Sequence, residues 1–222
     1  MNNKKIKRAF NGVTLILVST VVYRILLIIR PILRDLPQLL NEESVQSGGT
    51  ITGLLFTFGL PILYAVLVIV GLALFLQIVQ DREGGNSIGC LFASYGIAVA
   101  TLFTTSIPAI LLYLLTMLFA LIGFYYLFRS NSLDKKGRSG ANLLFFYSAF
   151  TIGLYTMKAI LFTPAIYDFL YSKGWSIMDS GRVLFYLANL ALMVLEVIGW
   201  YRIRKSLREK LPRKAGPIIE YV

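Results

Sequence analysis

The sequence predicts an all-α, polytopic integral membrane protein. The expected architecture is a six-helix transmembrane bundle with both termini cytoplasmic, occupying residues 1–222 as a single domain. Three observations predict it. The 222-residue chain is 57% hydrophobic with a mean hydropathy of +0.71, whereas about 45–50% apolar usage is normal for soluble domains. The apolar residues form long continuous runs rather than alternating ones. Backbone N–H and C=O groups in lipid must be paired within helices or closed barrels, and continuous runs select helices. Finally, the stretch from Leu91 to Phe128 contains no Asp, Glu, Lys, Arg, His, Asn or Gln. It is too long for one span, since a helix crosses the hydrocarbon core in about 20 residues.

That stretch has one internal breaker, Ser106-Ile107-Pro108, because a proline steers the residue before it away from helical angles. It therefore reads as two helices, 88–106 and 108–128, joined by a tight turn. Ahead of it, the first helix is expected over 13–33, with Pro31 near its end and Pro37 in the following loop. A polar segment, 34–52, contains Arg34, Asp35, Glu42 and Glu43. The second helix, 53–79, contains Gly59 and Pro61, which predict a kink in its first half. Residues 81–87 read as a short turn. After the hairpin come a basic loop over 129–140, a fifth helix over 141–163 ended by Pro164, and a sixth over 182–201. Between these last two, Tyr167, Tyr171 and Trp175 recur at helical spacing and predict a short interfacial helix within 164–181. The basic start of the chain imitates a signal peptide, but the apolar run carries Arg24 and continues, so it is expected to be a retained helix.

Orientation follows from the basic residues. Lys4, Lys5, Lys7 and Arg8 precede the first helix. Arg129, Lys135, Lys136 and Arg138 occupy the 129–140 loop, and Arg202, Arg204, Lys205, Arg208, Lys210, Arg213 and Lys214 follow the last span. The positive-inside rule places all three groups in the cytoplasm. This requires an even number of spans between Val79 and Arg129, and the hairpin supplies two. The lysine-rich, cysteine-poor style suits a bacterial plasma membrane.

The net charge of +11 comes from these span-flanking segments, with no basic, aromatic-interleaved face of the kind nucleic acid requires. The chain has no histidine and one cysteine, Cys90. Intrachain disulfides are excluded, and the commonest general base and metal ligand is missing. There is no paired-acid, Ser–His or metal constellation for an intramembrane hydrolase, nor a phosphate-cradling glycine loop. The expectation is a non-enzymatic protein with no cofactor and no bound metal.

Charges inside spans carry most of the remaining information, because each costs several kcal/mol unless paired or hydrated. Arg24, Lys158 and Glu196 lie well inside, and Arg30 lies near the outer end of the first helix. With a rise of ~1.5 Å per residue, Arg24 is about 16 Å from the cytoplasmic edge, Arg30 and Lys158 about 25 Å, and Glu196 about 7 Å. Two polar stripes accompany them. Tyr147, Thr151, Tyr155 and Lys158 share one face of the fifth helix. Arg182, Asn189 and Glu196 share one face of the sixth. On the third helix, Ser94, Ala98, Thr101 and Thr105 form a small-residue packing face.

These residues support two readings. In one, Arg30 and Lys158 snorkel to outer headgroups, Arg24 pairs with Glu196, and the stripes are interhelical glue. In the other, Arg24, Arg30, Lys158, Tyr147, Thr151, Tyr155, Asn189 and Glu196 line a cationic site for an anionic lipid or solute. Two function classes follow. The first is a non-catalytic subunit, regulator or immunity-type partner of another membrane protein. The second is a small-solute or lipid carrier, or the substrate-binding component of a transporter.

Overall fold

A computed structural model describes residues 3–39, 53–104, 106–161 and 177–211, with side chains described outside 30–39, 106–107, 158–161 and 177–183. Among these residues the chain is all-helical, with six α-helices: α1 (Asn3–Leu39), α2 (Leu60–Leu76), α3 (Arg82–Thr101), α4 (Ser106–Arg129), α5 (Lys135–Leu161) and α6 (Ile177–Glu209). Four helical stretches are long and apolar enough to cross a membrane: Asn3–Ile29, Leu55–Leu76, Pro108–Arg129 and Leu184–Glu209. Within the residues whose side chains are described, α3 and α5 are not among them; α3 opens with Arg-Glu-Gly-Gly-Asn-Ser and α5 with Lys-Lys-Gly-Arg-Ser-Gly.

Each helix packs on its neighbours in sequence, and α1 closes the ring against α6. Consecutive helices are antiparallel, as the Gly12–Gly71 and Gly140–Gly199 approaches and the short 77–81 and 130–134 turns require. The start of α1, the 77–81 turn, the 130–134 turn and the end of α6 therefore gather at one end. Direct contacts confirm this: Arg8 Nη1 donates to Gln77 Oε1 at 3.4 Å, Arg204 Nε to Thr14 Oγ1 at 2.9 Å, and Lys136 pairs with Glu209 at 2.7 Å. The described members of the three basic groups read from the sequence thus lie at the same end of the bundle. That end also holds the tightest packing. Val13, Ile16, Leu72, Phe75, Ile88, Leu91, Leu127, Leu144, Trp200 and Ile203 form one buried cluster drawn from all six helices.

Two glycine pairs set the closest helix crossings. A Cβ on Gly71 of α2 would stand 2.7 Å from the Gly12 carbonyl oxygen of α1, and one on Gly140 of α5 would stand 2.6 Å from the Gly199 carbonyl oxygen of α6. Only a residue without a side chain lets the backbones approach this closely. Read from the sequence, the glycines carry no such role.

Several boundaries differ from expectation, each for a local reason. α1 begins at Asn3, not 13, because Ile6 and Ala9 are buried in the core and draw the basic segment into the helix. It also continues through Pro31 and Pro37 to Leu39. Where the sequence predicts a kink, the second helix has a π-helical turn, Leu55–Gly59, ending two residues before Pro61. Pro61 has no N–H to offer the Thr57 carbonyl, and the register widens so that the Leu60 N–H reaches the Leu55 carbonyl. The expected 81–87 turn is helical from Arg82, with Asp81 as N-cap accepting from the Gly84 N–H at 3.4 Å.

The hairpin break falls at Leu102–Thr104, ahead of Ser106, and Pro108 sits in the first turn of α4, where a missing N–H costs nothing. α5 starts at Lys135 because Asp134 caps it, accepting from the Gly137 N–H at 2.8 Å. α6 runs from 177 to 209 rather than 182–201, so Arg202, Arg204, Lys205 and Arg208 are helical. The polar segment over 40–52 and the interfacial helix expected around Tyr167, Tyr171 and Trp175 lie outside the described residues.

Candidate functional site: a mid-bundle arginine–glutamate–tyrosine cluster

Arg24 and Glu196 meet directly. Arg24 Nη2 donates to Glu196 Oε2 at 2.6 Å, Nε to the same oxygen at 3.0 Å, and Nη2 also to the Tyr147 hydroxyl at 2.5 Å. The sequence-derived heights left these two groups at different levels because the sixth helix was taken to end near residue 201. The bond between Thr14 and Arg204 resets the register. Arg24 lies ten residues above Thr14 and Glu196 eight residues above Arg204. These are heights of about 15 and 12 Å, a gap an arginine side chain spans easily.

The other oxygen of the carboxylate is held from α2, where the Tyr64 hydroxyl donates to Glu196 Oε1 at 3.4 Å. Tyr64 is itself held by the Thr20 hydroxyl at 3.3 Å, by the stacked ring of Tyr23 at 4.4 Å and by the edge of Tyr95 at 6.0 Å. Five helices, α1, α2, α3, α5 and α6, therefore contribute to one cluster. Its placement follows from packing. The apolar core fills the charged end, and the cluster sits immediately beyond it, where Ile16, Val68, Leu144 and Trp200 give way to Thr20, Tyr64, Tyr147 and Glu196 along their helices.

The exposure is asymmetric. The Glu196 side chain is 4% exposed and that of Arg24 23%. A carboxylate so enclosed is tolerable only with its charge matched and its lone pairs occupied. Arg24 matches the charge, Arg24 and the Tyr64 hydroxyl occupy the carboxylate oxygens, and Tyr147 holds the arginine by accepting from it. The Arg24 side chain, in contrast, is only partly enclosed by the described residues.

The remaining sequence-predicted residues divide. Thr151 is buried, but its hydroxyl donates to the Tyr147 carbonyl of its own helix at 2.7 Å. The Asn189 side-chain amide likewise donates to the Phe185 carbonyl at 2.9 Å. Tyr155 is half-exposed and packs edge-on against Tyr113 of α4, with centroids 5.1 Å apart. Arg30 and Lys158 lie on α1 and α5, but their side chains are outside the described residues. The small-residue face of α3 is used at Ser94, whose hydroxyl donates to the Thr116 carbonyl of α4 at 2.9 Å.

Tyr64, Tyr95, Tyr23 and Thr20 belong to the cluster and were not singled out from the sequence. A usable signal existed. A buried carboxylate needs hydroxyl donors at its own depth, and tyrosines within apolar spans are the residues able to supply them.

Two aspartates at the charged end do comparable work on a smaller scale. Asp81 caps α3 and accepts from Ser130 Oγ at 2.8 Å, from the Asn131 N–H at 3.0 Å and from Ser132 Oγ. Asp134 caps α5 and accepts from Ser206 Oγ of α6 at 2.6 Å. Partial burial pushes both carboxyls up. The bonds from Ser132, Ser130 and the Asn131 N–H more than offset it at Asp81, and those from Ser206 and the Gly137 N–H, with the nearby Lys210 charge, do so at Asp134. Both are held below the ordinary value of 3.8. An open cleft of about 1040 Å³ lies beside them, lined by Arg82, Arg129 and Arg138 together with Asp81, Glu83 and Asp134.

No family model, curated protein or solved structure matches this chain. The geometry of the cluster therefore carries the functional reading alone. Chemically it is a neutralised, multiply bonded ion pair. Its one carboxylate is occupied by an arginine and a tyrosine hydroxyl, and so is poorly placed to take a proton from a substrate.

Proposed function

We propose that this is a multi-pass membrane protein of the plasma membrane, with six spans and both termini in the cytoplasm, that works without catalysis. In this reading it is a subunit, regulator or immunity-type partner of other membrane machinery, acting through helix packing and its outer segments. One observation carries the reading. The two charges best placed for intramembrane chemistry, Arg24 and Glu196, are bonded to each other at 2.6 Å and tie α1 to α6. Groups committed in this way hold a shape rather than turn over a substrate. The test is purification of the intact protein from its native membrane in mild detergent, followed by mass spectrometry of what accompanies it. A stoichiometric protein partner supports the proposal. A retained solute with no protein partner counts against it.

A second reading draws on the 23% exposure of the Arg24 side chain. An arginine whose side chain the described residues only partly enclose is suited to an anionic lipid or solute approaching from the side away from the apolar core. On this reading the protein is a carrier, or a transporter's binding component. Arg24→Gln would then abolish retention of that ligand, and a protein partner would remain bound.

A further inference from the structure

A second cationic feature lies at the charged end, away from the Arg24 cluster. Lys135, Lys136 and Ser139 of α5 and Arg202 and Lys205 of α6 line a cleft of about 350 Å³. The crossing at Gly140 and Gly199 creates it. The backbones touch there, so the residues just beyond face each other across a short gap, and Arg202 Nη1 donates to Ser139 Oγ at 2.7 Å. Among the described residues, no carboxylate lines the cleft. Glu209 is engaged by Lys136 with bonds of 2.7 and 2.8 Å, and Asp134 by Ser206 and the Gly137 N–H. Three cations, Lys135, Arg202 and Lys205, are left converging on a space the size of a phosphate-bearing group. Exposed like charges on one cleft favour an anion between them.

The surroundings specify the source of the anion. Immediately toward the bundle middle, α5 and α6 expose Phe146, Tyr201, Ile198 and Val194. This surface suits acyl chains, with its tyrosine at the level of the headgroups. A group bound in the cleft would continue down that apolar surface. The geometry points to a binding site for the headgroup of an anionic phospholipid, its phosphate between Arg202, Lys205 and Lys135 and its chains on the face below. Arginine offers two parallel N–H donors to a phosphate and the lysines act as point charges. Basic pockets between helices at a membrane surface commonly recognise lipids in this manner. The inference rests on the membrane placement above but not on the protein-partner reading.

The test is native mass spectrometry of the full chain in neutral detergent, titrated with phosphatidylglycerol or phosphatidylcholine. Phosphatidylglycerol adducts should form at least tenfold more readily than phosphatidylcholine adducts. The triple variant Lys135→Gln/Arg202→Gln/Lys205→Gln should weaken them on the order of a hundredfold, at about fivefold per removed charge. Lys205→Glu, an exposed single change that leaves the packing intact, should weaken them about twentyfold. The control Lys5→Gln/Lys7→Gln/Arg82→Gln removes equal charge elsewhere at the same end and should bind like wild type. Equal binding of the two lipids overturns the site, as does equal loss in the control. Displacement by millimolar inorganic phosphate would make it a free-anion site and overturn the lipid assignment. Failed membrane insertion would show separately, as extraction of the chain by alkaline carbonate without detergent.

Discussion

Removing either charge of the Arg24–Glu196 pair should cost more than removing both. Arg24→Leu leaves the Glu196 carboxylate, 4% exposed, with only hydroxyl donors. Breaking a buried pair in this way costs about 3–5 kcal/mol. Because the Tyr64 hydroxyl still reaches the carboxylate, the lower end of that range applies, about 3 kcal/mol. Glu196→Gln strands a cation that is 23% exposed and still touches Tyr147. Partial hydration should hold that loss to about 2 kcal/mol. The double variant Arg24→Leu/Glu196→Leu removes both desolvation penalties and should lie within about 1 kcal/mol of wild type. For a chain of this size 1 kcal/mol moves the midpoint by roughly 2–4 °C. The single variants should therefore melt roughly 4–12 °C early and the double variant within about 4 °C of the parent. The assay is thermal unfolding in detergent, followed by the monodisperse fraction in size-exclusion chromatography. Strictly additive losses, with the double variant worse than either single, would refute the pair as a coupled structural unit.

Hydroxyl deletions should rank by bond length. Tyr147→Phe, losing a 2.5 Å bond to a guanidinium, should cost about 1.5–3 kcal/mol, and Tyr64→Phe, losing a 3.4 Å bond, under about 1 kcal/mol; equal effects in thermal melts would contradict the geometry. Gly71→Leu should destabilise by more than about 3 kcal/mol, since its first side-chain atom meets the Gly12 carbonyl. Gly153→Ala, whose new methyl meets nothing within 4 Å, should be neutral or stabilising by up to about 1 kcal/mol. Asp81 and Asp134 have depressed carboxyls, so their contribution is complete above 3.8 and is lost as pH falls below it toward their folded values. Asp81→Asn should flatten the acid limb of a stability–pH curve below pH 4 and leave the neutral region parallel to wild type.

Continuous apolar runs were enough to place six helices in order, because lipid-facing and core-facing residues are both apolar and the breakers between them are few. Helix ends were harder to read. Asp81 and Asp134 look like loop residues until their serine partners on neighbouring elements are known. The basic tail after Trp200 looks unstructured until Ile203 and Leu207 are seen to be buried. The candidate site was half legible. Charge rarity identified Arg24 and Glu196, and helical spacing identified Tyr147. Thr151 and Asn189, read as either interhelical glue or lining, each bond to a carbonyl of their own helix, and a polar stripe in sequence does not reveal such bonds. The glycine crossings depend on which helices are neighbours, and that is a property of the ring rather than of any one segment.

The measurement that tests the account most directly is the sidedness of the charged end. In a Cys90→Ser background, single cysteines replace Asn131 or Lys205, both exposed at that end, or Ser47 or Ser172 in the segments read from the sequence as outer. Intact cells are treated with a membrane-impermeant maleimide. The account predicts labelling of Ser47→Cys and Ser172→Cys, with Asn131→Cys and Lys205→Cys reacting only after permeabilisation. Labelling of Asn131→Cys on intact cells would contradict the six-span arrangement with its basic end in the cytoplasm.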